Sequence, residues 1–144
     1  MAQVLPELRR KGYALEEIDT IFELGKLYLK SGNIKAAENI MQGLISVMPD
    51  YLPAWLGLSY IHAINNDHDA ALFAARQAVR IDANSSLAQL YLVSALLTVG
   101  DYNSAGTYLG ELNDKIENGL IDNSFEIRFY KTQLLRYQSR QIGL

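Results

Sequence analysis

The chain has 144 residues, a length that suits one compact domain, and 49% hydrophobic residues, enough for a continuous core. Its 16 acidic residues outnumber the 13 basic ones, and the resulting net charge of -3 argues against a nucleic-acid partner. The absence of cysteine excludes disulfides and thiolate metal sites. The beginning of the chain does not have the pattern of a secretory signal, and no run approaches the ~18 apolar residues of a membrane span. We therefore expect a soluble, cytoplasmic protein.

From residue 18 onward, small and apolar residues recur with a period of 34 residues. One phase of the period holds a leucine, a second an alanine, and a third a glycine or asparagine. The three sets are Leu24, Leu58 and Leu92; Ala37, Ala71 and Ala105; and Gly32, Asn66 and Gly100. A period of this length is typical of stacked helical hairpins.

This pattern is that of the tetratricopeptide repeat (TPR), with units at 18–51, 52–85 and 86–119. We therefore predict an all-α fold, a right-handed superhelix of three helix-turn-helix repeats. The alanines suit the closest approach of two helices, and the glycines and Asn66 suit a left-handed residue after each first helix. An asparagine or aspartate then follows as a helix N-cap, at Asn33, Asp67 and Asp101.

The two ends of the chain depart from the repeat. We interpret residues 1–17 as an N-terminal arm or short helix. In residues 120–144, Asn123 is a good N-cap, and one apolar helical stripe follows it, formed by Ile127, Tyr130, Leu134 and Tyr137. A terminal repeat needs a cap over its exposed core, so we predict a C-terminal capping helix.

The resemblance to TPR proteins implies that the first helix of each hairpin lines a concave groove. Carried onto this chain, the groove positions are mostly apolar, with two lysines at one end. The predicted protein-binding residues are Phe22, Lys26, Leu29, Lys30, Leu56, Tyr60, Ala63, Leu90, Ser94 and Leu97. An open apolar groove favours binding of an apolar segment of a protein client. In the alternative, some of these side chains only pack against flanking helices.

Little in the chain indicates chemistry. His62 and His68 are the only histidines, and their spacing does not suit a metal site. Phosphate-binding and nucleophile motifs are absent, so we expect no enzyme, cofactor or metal. Four basic residues follow Glu126 without an acidic one, namely Arg128, Lys131, Arg136 and Arg140. They could contact an acidic partner, although we favour a solvated helix face.

Two segments extend the resemblance. LGKLYLKSG at 24–32 and WLGLSY at 55–60 resemble first-helix segments of the TPR-type chaperones of bacterial type III secretion, the translocator and needle-subunit class. The resemblance implies a cytoplasmic bacterial chaperone that buries an apolar segment of a secretion substrate, without ATP. Translocator chaperones of this type self-associate, so the resemblance also allows a homodimer.

Two other function classes remain open. A generic TPR scaffold or assembly factor would keep its protein partner permanently, whereas a chaperone would be absent from the exported product. A regulatory subunit would change the turnover of a partner enzyme. The gene neighbourhood and the co-purified partner would separate these alternatives.

Overall fold

The structure is a computed structural model that describes residues 15–140. These residues form seven α-helices and no strand, as the sequence predicts for an all-α repeat fold. The helices are α1 Leu15–Lys30, α2 Ile34–Val47, α3 Leu52–Ile64, α4 His68–Ile81, α5 Ser86–Val99, α6 Tyr102–Glu117 and α7 Ser124–Ser139. Residues 1–14, most of the predicted N-terminal arm, and residues 141–144 lie outside the described part of the chain.

The first six helices form three hairpins, α1–α2, α3–α4 and α5–α6, which stack in chain order because each helix contacts the next. The last helix, α7, contacts both α5 and α6. One core cluster lies around Met41 and Leu58 in the first two hairpins, and a second lies around Leu92 and Tyr130 in the third hairpin and α7. The fold is thus a helical solenoid with an additional helix at its C-terminal end.

The second helix of each hairpin begins at the predicted N-cap. In Asn33, Asp67 and Asp101, the side chain accepts a hydrogen bond from the backbone N–H three residues later, at 3.2, 3.3 and 3.2 Å respectively. Each of these bonds satisfies one of the four N–H groups that a helix start leaves without a partner inside the helix. The three predicted caps are confirmed.

The turn inside each hairpin depends on one left-handed residue. Gly32 and Gly100 have φ values of 86° and 87°, and Asn66 has a φ of 60°. Glycine adopts this conformation without strain, and asparagine tolerates it better than most residues. The chain therefore reverses at the same point of each unit, as predicted.

Small residues permit the close approach of the two helices in a hairpin. The repeated alanines, Ala37, Ala71 and Ala105, are all buried. At Gly25 in α1, a Cβ atom would lie 2.8 Å from Cε of Met41 in α2, so a larger residue would force the methionine to move. The repeated small residues have the packing role that the sequence predicts.

Candidate binding groove

An apolar groove of about 350 Å³ lies between α3, α5 and α7, next to the start of α4. Four aromatic side chains line it, Tyr60, Tyr91, Phe125 and Phe129, and we call it the aromatic groove. The rest of its surface is formed by small and polar side chains, which include Ser59, Ala63, His68, Ser94, Thr98 and Gln133. The groove is therefore apolar at its walls and has hydrogen-bonding groups along it.

The aromatic side chains hold one another in fixed orientations. The ring centroids of Tyr91 and Phe129 are 5.3 Å apart with an interplanar angle of 76°, and those of Phe125 and Phe129 are 6.0 Å apart at 81°. Edge-to-face pairs of this kind add stability beyond their buried area. Burial, and then the nearby Tyr60, raise the pKa of Tyr91 above its ordinary value.

Tyr60 is the aromatic residue that α3 contributes to the groove, and its side chain is 47% exposed. Phe125 on α7 is exposed to a similar degree. When a ligand covers large exposed aromatic side chains at the edge of a groove, the burial of their apolar surface favours binding. This arrangement suits the binding of another apolar surface.

Local sequence explains why α7 reaches the groove. Asn123 caps the helix by accepting hydrogen bonds from the N–H groups of Phe125, at 2.8 Å, and Glu126, at 3.1 Å. Tyr130 is buried against the third hairpin, and its hydroxyl donates to Oδ1 of Asn113 at 3.3 Å. The apolar stripe of α7 packs there, as predicted for the capping helix, and a second face of α7 is left toward the groove.

Arg136, on that second face of α7, links the helix to α5. Its Nη1 donates to Oγ of Ser94 at 3.1 Å, and its Nη2 donates to Oγ1 of Thr98 at 2.9 Å. Nη1 also donates to Oε1 of Gln133 at 2.7 Å. Burial lowers the pKa of Arg136 from its ordinary value.

The predicted groove residues of the first hairpin lie outside the aromatic groove. Lys26 is 5.5 Å from the ring centroid of Phe22, and its Nζ is 3.3 Å from Oε1 of Glu23. The Phe22 ring meets Tyr51 edge to face, with centroids 5.8 Å apart. Lys30 is exposed and Leu29 is partly buried against the first core cluster.

The structure brings together three of the predicted binding residues, Tyr60, Ala63 and Ser94, at the aromatic groove. It places Leu90 and Leu97 in the second core cluster, to which α7 also contributes, and they are 0% and 6% exposed. Leu56 is also buried, in a small cluster between the second and third hairpins. These three leucines therefore offer no free surface in the aromatic groove.

Sequence reasoning did not assign His68, Tyr91, Phe125, Phe129 or Gln133 to the groove. One signal for part of this set is present in the sequence. Phe125 and Phe129 are four residues apart, and Gln133 follows at the same spacing, so they share one face of α7. The sequence cannot show that this face meets α3 and α5.

Residues 15–140 offer neither a cluster of metal ligands nor a membrane-spanning helix. These residues contain no group of three or more histidine, aspartate or glutamate side chains placed to hold a metal ion. Within the same part of the chain, no helix is long and apolar enough to cross a membrane.

The tetratricopeptide repeat family model matches residues 18–51 and 52–85. The chain contains tetratricopeptide repeats. The third hairpin, at 86–119, has the same helix-turn-helix form and follows the two matched units. Its departures from the repeat pattern include a glutamate, Glu117, where the first repeat has Pro49.

Among curated proteins, the TPR segment is similar to two anaphase-promoting complex subunits. Subunit cut9 of Schizosaccharomyces pombe is 29% identical over 94 residues, which are 65% of this chain and 14% of that protein. Subunit CDC16 of Saccharomyces cerevisiae is 25% identical over 113 residues, 78% of this chain and 14% of that protein. The chain thus spans 14% of the length of each of these relatives.

Two solved structures share the TPR fold over most of this chain. One is the Yersinia enterocolitica type III secretion chaperone SycD in complex with a peptide of the translocator YopD, at a TM-score of 0.72 and 17% identity, covering 90% of this chain and 96% of that one. The other is the TPR2B domain of yeast Sti1, at a TM-score of 0.73 and 16% identity, covering 85% of this chain and 97% of that one. At these identities the likeness shows the fold alone.

Proposed function

We propose that this TPR protein binds an apolar segment of a protein client in the aromatic groove, as a cytoplasmic chaperone of a type III secretion substrate. The observation that carries the proposal is the set of half-exposed aromatic side chains, above all Tyr60 and Phe125, around an apolar hollow. Repeat solenoids use such surfaces for protein recognition.

The size of the groove indicates what it can hold. Its volume of about 350 Å³ lies at the small end of ligand pockets, so it fits one or two large side chains rather than a whole helix. Burying one leucine or phenylalanine side chain contributes about 1.5–3 kcal/mol. One such anchor gives modest, reversible binding, which suits a chaperone that must release its client before export.

Similarity supports this choice of client without identifying it. The solved SycD structure is described as a type III secretion chaperone with a translocator peptide, and its fold matches nearly the whole chain. A second candidate function has support of its own, because the curated relatives are described as subunits of a large assembly. In that case the chain is a scaffold with a permanent partner.

Co-purification from the native host tests the groove. Tyr60→Glu combined with Ala63→Glu places charge at two exposed groove positions without entering the core. Phe73→Glu is the matched control, because Phe73 is also a half-exposed aromatic residue on a helix but lies outside the groove. We expect the wild type and the control to recover the same client. The double variant should recover about tenfold less of it, or less still, because burying a charge against an apolar segment is unfavourable.

Equal recovery of the client by the folded double variant would show that binding does not use the aromatic groove. The fate of the partner separates the two candidate functions. A chaperone releases its client when secretion is induced, whereas a scaffold remains in a stoichiometric complex with its partner in the final assembly.

A further inference from the structure

Arg136 lies between the aromatic groove and a second hollow. Its guanidinium contacts Ser94, Thr98 and Gln133, which all line the aromatic groove. Arg136 itself lines the second hollow, of about 400 Å³, together with Leu97, Tyr102, Thr132, Leu135 and Ser139. A ligand that extends from one hollow to the other must therefore pass this cation.

All the hydrogen-bond acceptors that Arg136 uses are neutral: two hydroxyl groups, one side-chain amide oxygen and the backbone carbonyl of Ser94. The ion pairs among residues 15–140 join Lys26 to Glu23 and Lys35 to Glu38, and neither includes Arg136. The lowered pKa of Arg136 reflects partial loss of its hydration. A partly desolvated cation that has no acidic partner among the described residues interacts more favourably with a carboxylate than a fully hydrated one does.

The second hollow also has exposed apolar surface. Leu135 and Tyr102 both line it and are exposed. If a ligand ended at Arg136 with its C-terminal carboxylate, this surface would remain uncovered. A chain that continues past Arg136 would cover it, so an acidic side chain within the segment fits better than a chain terminus.

We propose, on the basis of the function proposed above, that the client segment carries an aspartate or glutamate side chain between two apolar residues. The first apolar side chain enters the aromatic groove, the carboxylate pairs with Arg136, and the second apolar side chain covers Leu135 and Tyr102. The acid and the two apolar residues are close together in the client sequence, because Arg136 bonds to residues that line one hollow and itself lines the other.

Selection from a random peptide library tests this inference without knowledge of the client. The probe is a phage library of twelve-residue peptides fused at their C-termini to the coat protein, so every carboxylate in the peptide is a side chain. The immobilised proteins are the wild-type chain, Arg136→Gln, Tyr60→Glu with Ala63→Glu, and Arg128→Gln. Arg128 is the matched control, since it is an exposed arginine on the same helix and lines neither hollow.

We expect the wild type and Arg128→Gln to select peptides with an acid between apolar residues, and Arg136→Gln to select apolar residues without the acid. Apolar peptides without acid enrichment on the wild type would overturn this inference and leave the proposed function standing. If the wild type selects only peptides that the Tyr60→Glu, Ala63→Glu variant also selects, both this inference and the proposed function are overturned.

Synthetic versions of one selected peptide then measure the contribution of the charge. We expect replacement of its acid by the amide to weaken binding to the wild type roughly fivefold to tenfold, and binding to Arg136→Gln hardly at all. A truncated peptide that ends at the acid with a free C-terminal carboxylate, and binds as tightly as the full peptide, would overturn the internal position of the acid.

One further variant distinguishes recognition of the acidic peptide by Arg136 from the role of Arg136 in the packing of α7 on α5. Ser94→Ala with Thr98→Ala removes two acceptors that hold Arg136 but keeps the cation. Because both residues line the aromatic groove, we expect this variant to bind all peptides more weakly, but to keep the ratio of affinities for the acidic peptide and its amide. Loss of that preference in the folded variant would show that the contacts of α7 with α5, rather than the charge of Arg136, determine the preference.

Discussion

The first and third hairpins share leucines at two repeat positions, yet they expose them differently. Leu24 in α1 is 45% exposed, whereas Leu92, at the same position in α5, is 1% exposed. Leu29 is partly buried, while Leu97, its counterpart, lies inside the core. The repeat position therefore determines the direction of a side chain, but the neighbouring helices determine whether that side chain is exposed to solvent.

The neighbours of the two hairpins explain this difference. Within residues 15–140, α1 contacts α2 and α3, whereas α5 is packed between α4, α6 and α7. Helix α7 also covers part of the face that an isolated third repeat would leave open. The third hairpin is therefore more fully enclosed than the first, and the candidate binding groove lies at the junction of α3, α5 and α7.

The largest effect that we expect comes from a charge in place of Leu97 in the third repeat, compared with a charge at its counterpart in the first repeat, Leu29. Leu97→Glu would place a carboxylate in the core and lower the free energy of unfolding by more than about 3 kcal/mol. Leu29→Glu, the matched change in α1, would cost about 1–2 kcal/mol because part of that side chain reaches water. Urea unfolding followed by circular dichroism measures both values. Similar losses would mean that α7 does not bury Leu97 in solution.

A smaller difference is expected for the repeated leucine. Leu92→Ala would leave a cavity and lower the free energy of unfolding by about 3 kcal/mol. Leu24→Ala removes a side chain that is already half in water, so we expect a loss below about 1 kcal/mol. The urea midpoints of the two variants test this pair. If Leu24→Ala costs as much as Leu92→Ala, another part of the protein must cover α1.

Two glycines give the smallest expected effects, with opposite signs. Gly43, in α2, has open space where a Cβ would stand, so Gly43→Ala should raise the free energy of unfolding by about 1 kcal/mol through helix propensity. At Gly106, in α6, a Cβ would lie 2.7 Å from the hydroxyl of Tyr137 in α7, so Gly106→Ala should lower it by about 1 kcal/mol. Thermal unfolding shows whether the melting temperature of each variant lies above or below that of the wild type. Stabilisation by Gly106→Ala would indicate that α7 packs less closely than the structure has it.

Most of the fold could be predicted because its signals are local. An N-cap such as Asp67 bonds to the N–H three residues later, and a left-handed residue such as Gly32 acts within one turn. The buried stripe around Tyr130 also follows from helical spacing alone. These features depend on residues close together in the chain, so the sequence contains them directly.

The candidate site was predictable only in part. Tyr60, Ala63 and Ser94 follow from their repeat positions on α3 and α5, and the structure places all three at the aromatic groove. Phe129 reaches the same groove from α7, which has no place in the 34-residue period, and Arg136 on the same helix bonds to the groove residue Ser94. No repeat position could therefore assign them.

Local patterns in the sequence specify a helical-repeat solenoid, its hairpin turns and a final helix of different pattern. They do not specify which apolar residues remain exposed, because that depends on how the helices pack. Exposure depends on contacts between helices distant in the chain, and the packing of α7 on α5 encloses Leu97 while it brings Phe129 and Arg136 to Tyr91 and Ser94. Local propensity and periodicity contain no information about such contacts.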